Sequence, residues 1–232
     1  MATTFQRARS EEQRALRRRA ILHAAAAMLQ RMPVSDLSLN ELSRRVGLAK
    51  SNVLRYFDSR EDVLLQLLAD STREWLAELA AEVPSAVRRR ASFNRRAEQL
   101  AAAIAGTLAE RPMLCDLLSA QASVLEHNVS VDAIARHKLE VVSDTAALAE
   151  VVRAALPEFE EEQAWRYATA VWVVMAALWA YARPPEAVLV ALATDERLAR
   201  LPHVEFGAAL ADYLATLAVG LHNRATGSAS RA

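Results

Sequence analysis

Lys50, Ser51, Asn52, Arg55 and Tyr56 fall close together in the stretch LSLNELSRRVGLAKSNVLRYF, residues 37–57. These side chains share one chemistry, the reading of base edges. Arg or Lys can donate to guanine O6 and N7, and Asn can pair through both amide atoms with adenine, each bidentate contact discriminating by ~1–3 kcal/mol. Ser38 and Arg60 bracket the stretch. A hydroxyl, the backbone N–H groups of a helix start and a guanidinium can each hold a phosphate.

A second group of residues invites a different chemistry. Glu126, His127, Asp132 and His137 lie within twelve positions, with Cys115 upstream. His127 and His137 lack the i, i+4 spacing that presents two metal ligands on one helical face. No HExxH, CxxC, phosphate-binding glycine loop or G-x-S-x-G occurs in the chain. Solvated histidines are expected, with no catalytic residue, no metal and no cofactor, so the chain does not read as an enzyme.

The base-reading residues need elements to present them. A first helix is expected over about 11–31, ending before Pro33, which cannot continue it. Ser38 and Glu41 form an S-x-x-E capping box at the start of a second helix, which Gly47 ends. A third runs from about Lys50 to Phe57. Asp58 or Ser59 then caps a fourth, with Glu61 and Asp62 in its first turn and an end near Ala81. Helix, glycine turn and short helix is the layout of a helix-turn-helix. Leu39, Leu42, Val46, Leu48, Val53 and Phe57 face inward with Ile21, Ala25 and Met28, which turns Lys50, Ser51, Asn52, Arg55 and Tyr56 outward. Charge agrees. Residues 1–60 hold twelve Arg or Lys against five Asp or Glu, a net of +7, whereas the whole chain is neutral. A basic end on an acidic body is the footprint of a polyanion partner.

Composition bounds the rest. Five glycines and seven prolines in 232 residues, with 53% hydrophobic content, favour an all-α chain with a sizeable core. Cys115 is the single cysteine, so no intrachain disulfide forms, which suits a cytoplasmic protein. RRRAILHAAAAML (17–29) has the look of a signal peptide, but Glu11, Glu12 and His23 and the absence of a small-residue cleavage site favour an amphipathic helix. The longest uncharged run, Tyr167 to Ala182, is shorter than the ~20 residues that cross a bilayer. No membrane partner is expected.

Beyond about residue 61 further helices are expected at about 92–110, 113–127, 131–155, 160–182, 186–193 and 204–222. Pro112, Pro157, Pro184, Pro185 and Pro202 fall between them, and VPSAVRRRAS (83–92) reads as a connection. This divides the chain into a helix-turn-helix domain over 1–60 (core helices about 11–57) and a larger helical bundle over 61–232. Phe93, Met113, Leu118, Gln121, Leu125, Trp172 and Met175 in that bundle could line an apolar cavity with a few polar groups, suited to a small lipophilic effector. The least charged long helices, 160–182 and 204–222, carry Leu178, Trp179, Phe206, Leu210, Tyr213, Leu214 and Leu217 at helical spacing. These residues could bury against a second copy or fill the monomer's own core.

Residues 21–64 resemble the DNA-binding domain of the TetR family of transcriptional regulators. ILHAAAAML is similar to that family's first core helix, SLNELSRRVGL to its second helix and turn, and AKSNVLRYFDSREDVL to its recognition helix and the next helix start. The Tyr56–Phe57 pair followed by a short polar link and Arg60 is the most specific part. Three residues depart from the family pattern: Pro33 replaces a glycine, Leu54 a tyrosine that touches the DNA backbone, and Ala49 a capping serine. The resemblance implies an all-α ligand-binding and dimerisation domain behind the reader, with the last two long helices forming the homodimer interface. It further implies a regulator, most commonly a repressor, of double-stranded DNA bearing an inverted-repeat operator. A DNA-binding architectural or activator protein without an effector is the alternative.

Overall fold

A computed structural model describes residues 2–195, 197–198 and 204–229, with side chains described for 11–195, 197–198 and 204–224. Pro202, expected to punctuate the stretch before the last helix, lies outside the described residues. Among these residues the structure is helical and contains no strand. The helices are α1 (Ala2–Leu29), α2 (Leu39–Arg45), α3 (Lys50–Val53), α4 (Arg60–Ala86), α5 (Phe93–Ala109), α6 (Pro112–Ala120), α7 (Val131–Ala155), α8 (Glu161–Ala182), α9 (Glu186–Leu192) and α10 (Phe206–Ala229). A short 3₁₀ turn at Val34–Asp36 precedes α2, and a π-helical turn at Gln121–Leu125 follows α6.

Local chemistry accounts for the boundaries. The Ser38 hydroxyl oxygen accepts from the Glu41 N–H at 3.2 Å and starts α2. Gly47 sits at φ +65°, in the left-handed region that favours glycine, and turns the chain toward α3. At the next start, the Ser59 hydroxyl accepts from the Asp62 N–H and the Asp62 carboxylate accepts from the Asp58 N–H. Two expectations fail. α1 begins at Ala2 rather than near residue 11. α4 runs past Ala81 through Pro84 to Ala86. Pro84 removes one backbone bond close to the helix end, while Val83 and Val87, one turn apart, are both buried and hold the segment helical.

The chain forms two compact units. The first comprises residues 1–71 and 120–140, the second 72–119 and 141–232. In the first unit Ile21, Ala25 and Met28 of α1, Leu42 of α2, Val53 and Phe57, and Val63 and Leu64 of α4 form the buried centre. Residues 120–140 belong here because the Ser130 hydroxyl donates to the Asp58 carboxylate at 2.9 Å, and Arg136 lies 3.7 Å from Asp62. In the second unit α10 packs on α5 and α8. Leu100, Ile104 and Leu108 of α5, Val171 and Met175 of α8, and Leu210 and Leu214 of α10 are completely buried. Among the described residues no single helix is long and apolar enough to cross a membrane.

Candidate nucleic-acid interface

Val53 and Phe57 anchor α3 and the turns after it in the first unit's core, at 0% and 1% exposure. With that face fixed, Lys50, Ser51, Asn52 and Arg55 are exposed and Tyr56 is half-buried. The regular part of α3 is shorter than expected, four residues, and it continues to Phe57 in tighter turns with Arg55 N–H to Asn52 O and Tyr56 N–H to Val53 O bonds. Lys50, Ser51 and Asn52 therefore occupy the first turn, the part of a recognition helix that meets base edges.

Arg55 and Tyr56 turn away from that first turn. They line a groove of about 720 Å³ together with Gln13, Arg14, Leu16, Arg17 and Ala20 of α1. A second groove, about 560 Å³, includes Ser38, Lys50, Arg60 and Asn128 among its walls. Asn128 stands in the first unit at φ +56°.

Arg60, a phosphate candidate from sequence, makes several bonds within its own chain. Its guanidinium donates to the carbonyl oxygens of Leu37 and Val34 and pairs with the Glu61 carboxylate. It ties the α1–α2 connection to the start of α4. Arg18 is likewise structural: it donates to the Tyr56 carbonyl, reaches the Gln66 side-chain oxygen at 3.4 Å and lies 4.3 Å over the Phe57 ring.

The residues proposed from sequence for a ligand site are divided between the two units. Gln121 and Leu125 belong to the first unit, and the others to the second. The Gln121 amide donates to Glu126 at 3.0 Å. Trp172 donates its indole N–H to Thr145 and meets Trp75 edge-on at 5.4 Å, while Phe93 stacks on His222 at 4.0 Å and touches Phe159. Met175 is buried, and Met113 and Leu118 are half-buried.

One polar group of the body went unnoticed in the sequence. Tyr167 is completely buried beside Phe159, and its hydroxyl has no hydrogen-bond partner among the described residues. Burial drives the phenol's pKa upward, so it stays a neutral donor. Its place in the run YATAVWVVMAALWAYA gave no signal beyond that of a core aromatic.

The interface residues divide too. Phe206, Leu210 and Leu214 are buried against their own chain, and Trp179 is buried with its N–H donated to Asp116 at 2.7 Å. Leu178 and Leu217 are half-buried and Tyr213 is exposed. The outward stripe of α8 is instead Trp165, Thr169, Val173, Ala177 and Tyr181, at a spacing of four.

Among the described residues, the stretch with His127 and His137 included, no group of three or more His, Cys, Asp or Glu is placed to hold an ion. Glu126 receives Lys138 at 2.6 Å and lies 3.8 Å from His137 Nε2. Burial raises the Glu126 pKa, but the hydrogen bonds from Lys138 and Gln121 outweigh it and hold the carboxyl below its ordinary range. Cys115 donates to the Leu108 carbonyl, and burial first, then Asp116, pushes its thiol pKa up to about 12, an inert form.

A three-helix unit with a glycine turn, presenting Lys50, Ser51 and Asn52 from an anchored short helix, defines a helix-turn-helix DNA-binding protein. The family model for bacterial regulatory proteins of the tetR family matches residues 21–67, and that for the tetracyclin repressor-like C-terminal domain matches residues 69–225. The chain belongs to the TetR family of transcriptional regulators. No curated protein matches it. Among solved structures, a TetR-family regulator from Streptomyces coelicolor A3(2) superposes with a TM-score of 0.58 at 18% identity, covering 89% of this chain and 98% of that one. A TetR regulator from Rhodococcus sp. RHA1 gives 0.55 at 12% identity, covering 90% and 95%. The fatty acid degradation regulator FadR from Bacillus halodurans gives 0.51 at 11%, covering 88% and 94%. At these identities the likeness is one of fold.

Proposed function

We infer that this regulator is a cytoplasmic homodimeric repressor, bound to an inverted-repeat operator and released when a small, largely hydrophobic molecule enters its helical body. The exposed first turn of α3 over the buried Val53 and Phe57 carries the DNA-reading part. Two copies related by a two-fold axis require a two-fold site. The unpartnered apolar stripe of α8, with Tyr213 and Leu217 of α10, supplies the surface on which the copies would join.

Tyr167 supports the effector. A buried hydroxyl without a partner costs ~1–3 kcal/mol, which a ligand bearing a hydrogen-bond acceptor would recover. Phe159 beside it, and Phe93 against Phe159, provide apolar and aromatic surroundings. A lipophilic ligand suits this lining, and the fold is also that of a fatty acid degradation regulator. Release requires that the ligand bind the DNA-incompetent form better. Ser130 and Arg136 fasten the start of α7 to Asp58 and Asp62, immediately after the recognition helix, so a shift of α7 would bear on α3.

The test begins with selection of duplexes from a random pool by the purified protein. A two-fold consensus is expected, and an asymmetric or absent consensus rejects the operator model. Lipophilic compounds that raise the melting temperature should then release the selected duplex. If hits stabilise the protein yet leave it bound, the ligand-released repressor is wrong.

A further inference from the structure

α1 extends far beyond the part of the chain that matches the family's DNA-binding model. That match begins at residue 21, whereas α1 begins at Ala2. At ~1.5 Å per residue the additional helix is about 28 Å long. It carries six arginines, Arg7, Arg9, Arg14, Arg17, Arg18 and Arg19, against Glu11 and Glu12.

Arg14 and Arg17 are exposed and line the 720 Å³ groove with Arg55. Arg14 donates to the Arg55 carbonyl at 3.4 Å, which fixes its guanidinium beside the end of the recognition segment. Three guanidiniums therefore line one groove, and among the described residues no carboxylate is in its walls. Like charges brought together this way repel one another, and an anion between them relieves the repulsion. Gln13 and the Tyr56 phenol, also in the walls, are neutral donors suited to phosphate oxygens. Arg18, by contrast, is committed to Tyr56, Gln66 and Phe57 and holds α1 in position.

We propose that this extension of α1 is a second limb of the DNA interface: Arg14 and Arg17, with Arg55, clamp a phosphate of the strand flanking the bases that α3 reads. The proposal rests on the DNA-binding reading. It moves Arg55 from base recognition to backbone contact and gives this chain a longer footprint than residues 38–60 alone provide. The occupant is a duplex phosphate because the groove adjoins the recognition segment, where the backbone of a bound duplex must run.

The experiment uses the full chain and a labelled 30-base-pair duplex of random sequence, with binding followed by anisotropy across a salt series. Each neutralised phosphate contributes about 0.9 to the slope of log K against log salt. The double variant Arg14→Ala/Arg17→Ala should lower the slope by about 0.9 per bound chain, the share of the one clamped phosphate, and weaken binding roughly 10-fold at 0.1 M salt, equally for all sequences. Arg14→Lys/Arg17→Lys should retain most of the slope, since it keeps the charge. If the wild type binds and the alanine variant keeps its slope, the limb is not part of the interface. A lysine variant as weak as the alanine one, or a changed base preference, also overturns the clamp. If the wild type binds no duplex at low salt, the DNA-binding reading itself fails.

Discussion

Arginines 18, 55 and 60 are alike in the sequence and differ in what the fold lets them do. Arg60 is tied to two carbonyls and Glu61, so Arg60→Ala should remove roughly 2–3 kcal/mol of stability, as lost charge-assisted bonds do, rather than change the salt slope. Denaturant titration beside salt-dependent binding separates the two; a stable variant with a flattened slope would return Arg60 to the phosphates. Asn52→Ala should leave stability unchanged and relax one base position by ~1–3 kcal/mol, read by competition among operator variants. Tyr167→Phe should leave the melting temperature of the free protein unchanged or higher, since it removes an unpaired hydroxyl, while weakening the effector several-fold. His137 has a sign of its own. Burial lowers its pKa below 6.5, the nearby Glu126 carboxylate partly opposing and Lys138 assisting. The neutral form is thus favoured in the fold: its contribution is present above pH 6.5 and is lost as pH falls through the lower folded pKa. The fall in melting temperature between pH 7 and 5 should be shallower in His137→Gln than in the wild type. The types of these residues were visible in the sequence, but their partners were not. Arg60 meets Leu37 and Val34 across more than twenty positions, and no local pattern announces such a bond.

At the scale of elements, legibility follows the range of the forces involved. The Ser38 cap, the Gly47 turn and the starts of α5, α7 and α8 depend on neighbours within four residues, and sequence placed them closely. Gly47→Ala should cost on the order of 1 kcal/mol, because the added Cβ meets open space and only the left-handed backbone penalises it. A loss of several kcal/mol would mean that the α2–α3 turn is more crowded than the structure has it. The continuation of α4 through Pro84 was not legible, since it goes with the burial of Val83 and Val87, which is tertiary. The same holds for the return of residues 120–140 to the first unit, which rests on Ser130 meeting Asp58 across 72 positions. α8 shows the limit most plainly. It is apolar on nearly every side, so periodicity could not tell which face turns inward. The structure buries Tyr167, Val171, Met175 and Trp179 and leaves Trp165, Val173 and Tyr181 outside.

At the scale of the whole molecule, that outward stripe changes how a proposed dimer must be tested. Leu214 looked from sequence like an interface residue, yet it is completely buried within its own chain. An arginine there would leave an unpaired charge in the monomer's core, so Leu214→Arg should unfold the second unit and reveal nothing about association. Val173 is 65% exposed and central in the α8 stripe, between Thr169 and Ala177. Val173→Arg should be harmless to the isolated chain, where the guanidinium reaches water, and strongly unfavourable where two apolar helices close over it. Sedimentation at micromolar concentration should therefore show a dimer for the wild type and a monomer of unchanged helicity for Val173→Arg. On DNA the two readers of a dimer share one binding event, so the second half-site acts at a high effective concentration. The Val173→Arg monomer should lose the preference for an inverted repeat over a single half-site while keeping the base preference of α3. Retention of the dimer would move the interface off the α8 stripe. A monomer that still distinguished the repeat from the half-site would show that DNA itself brings the two copies together.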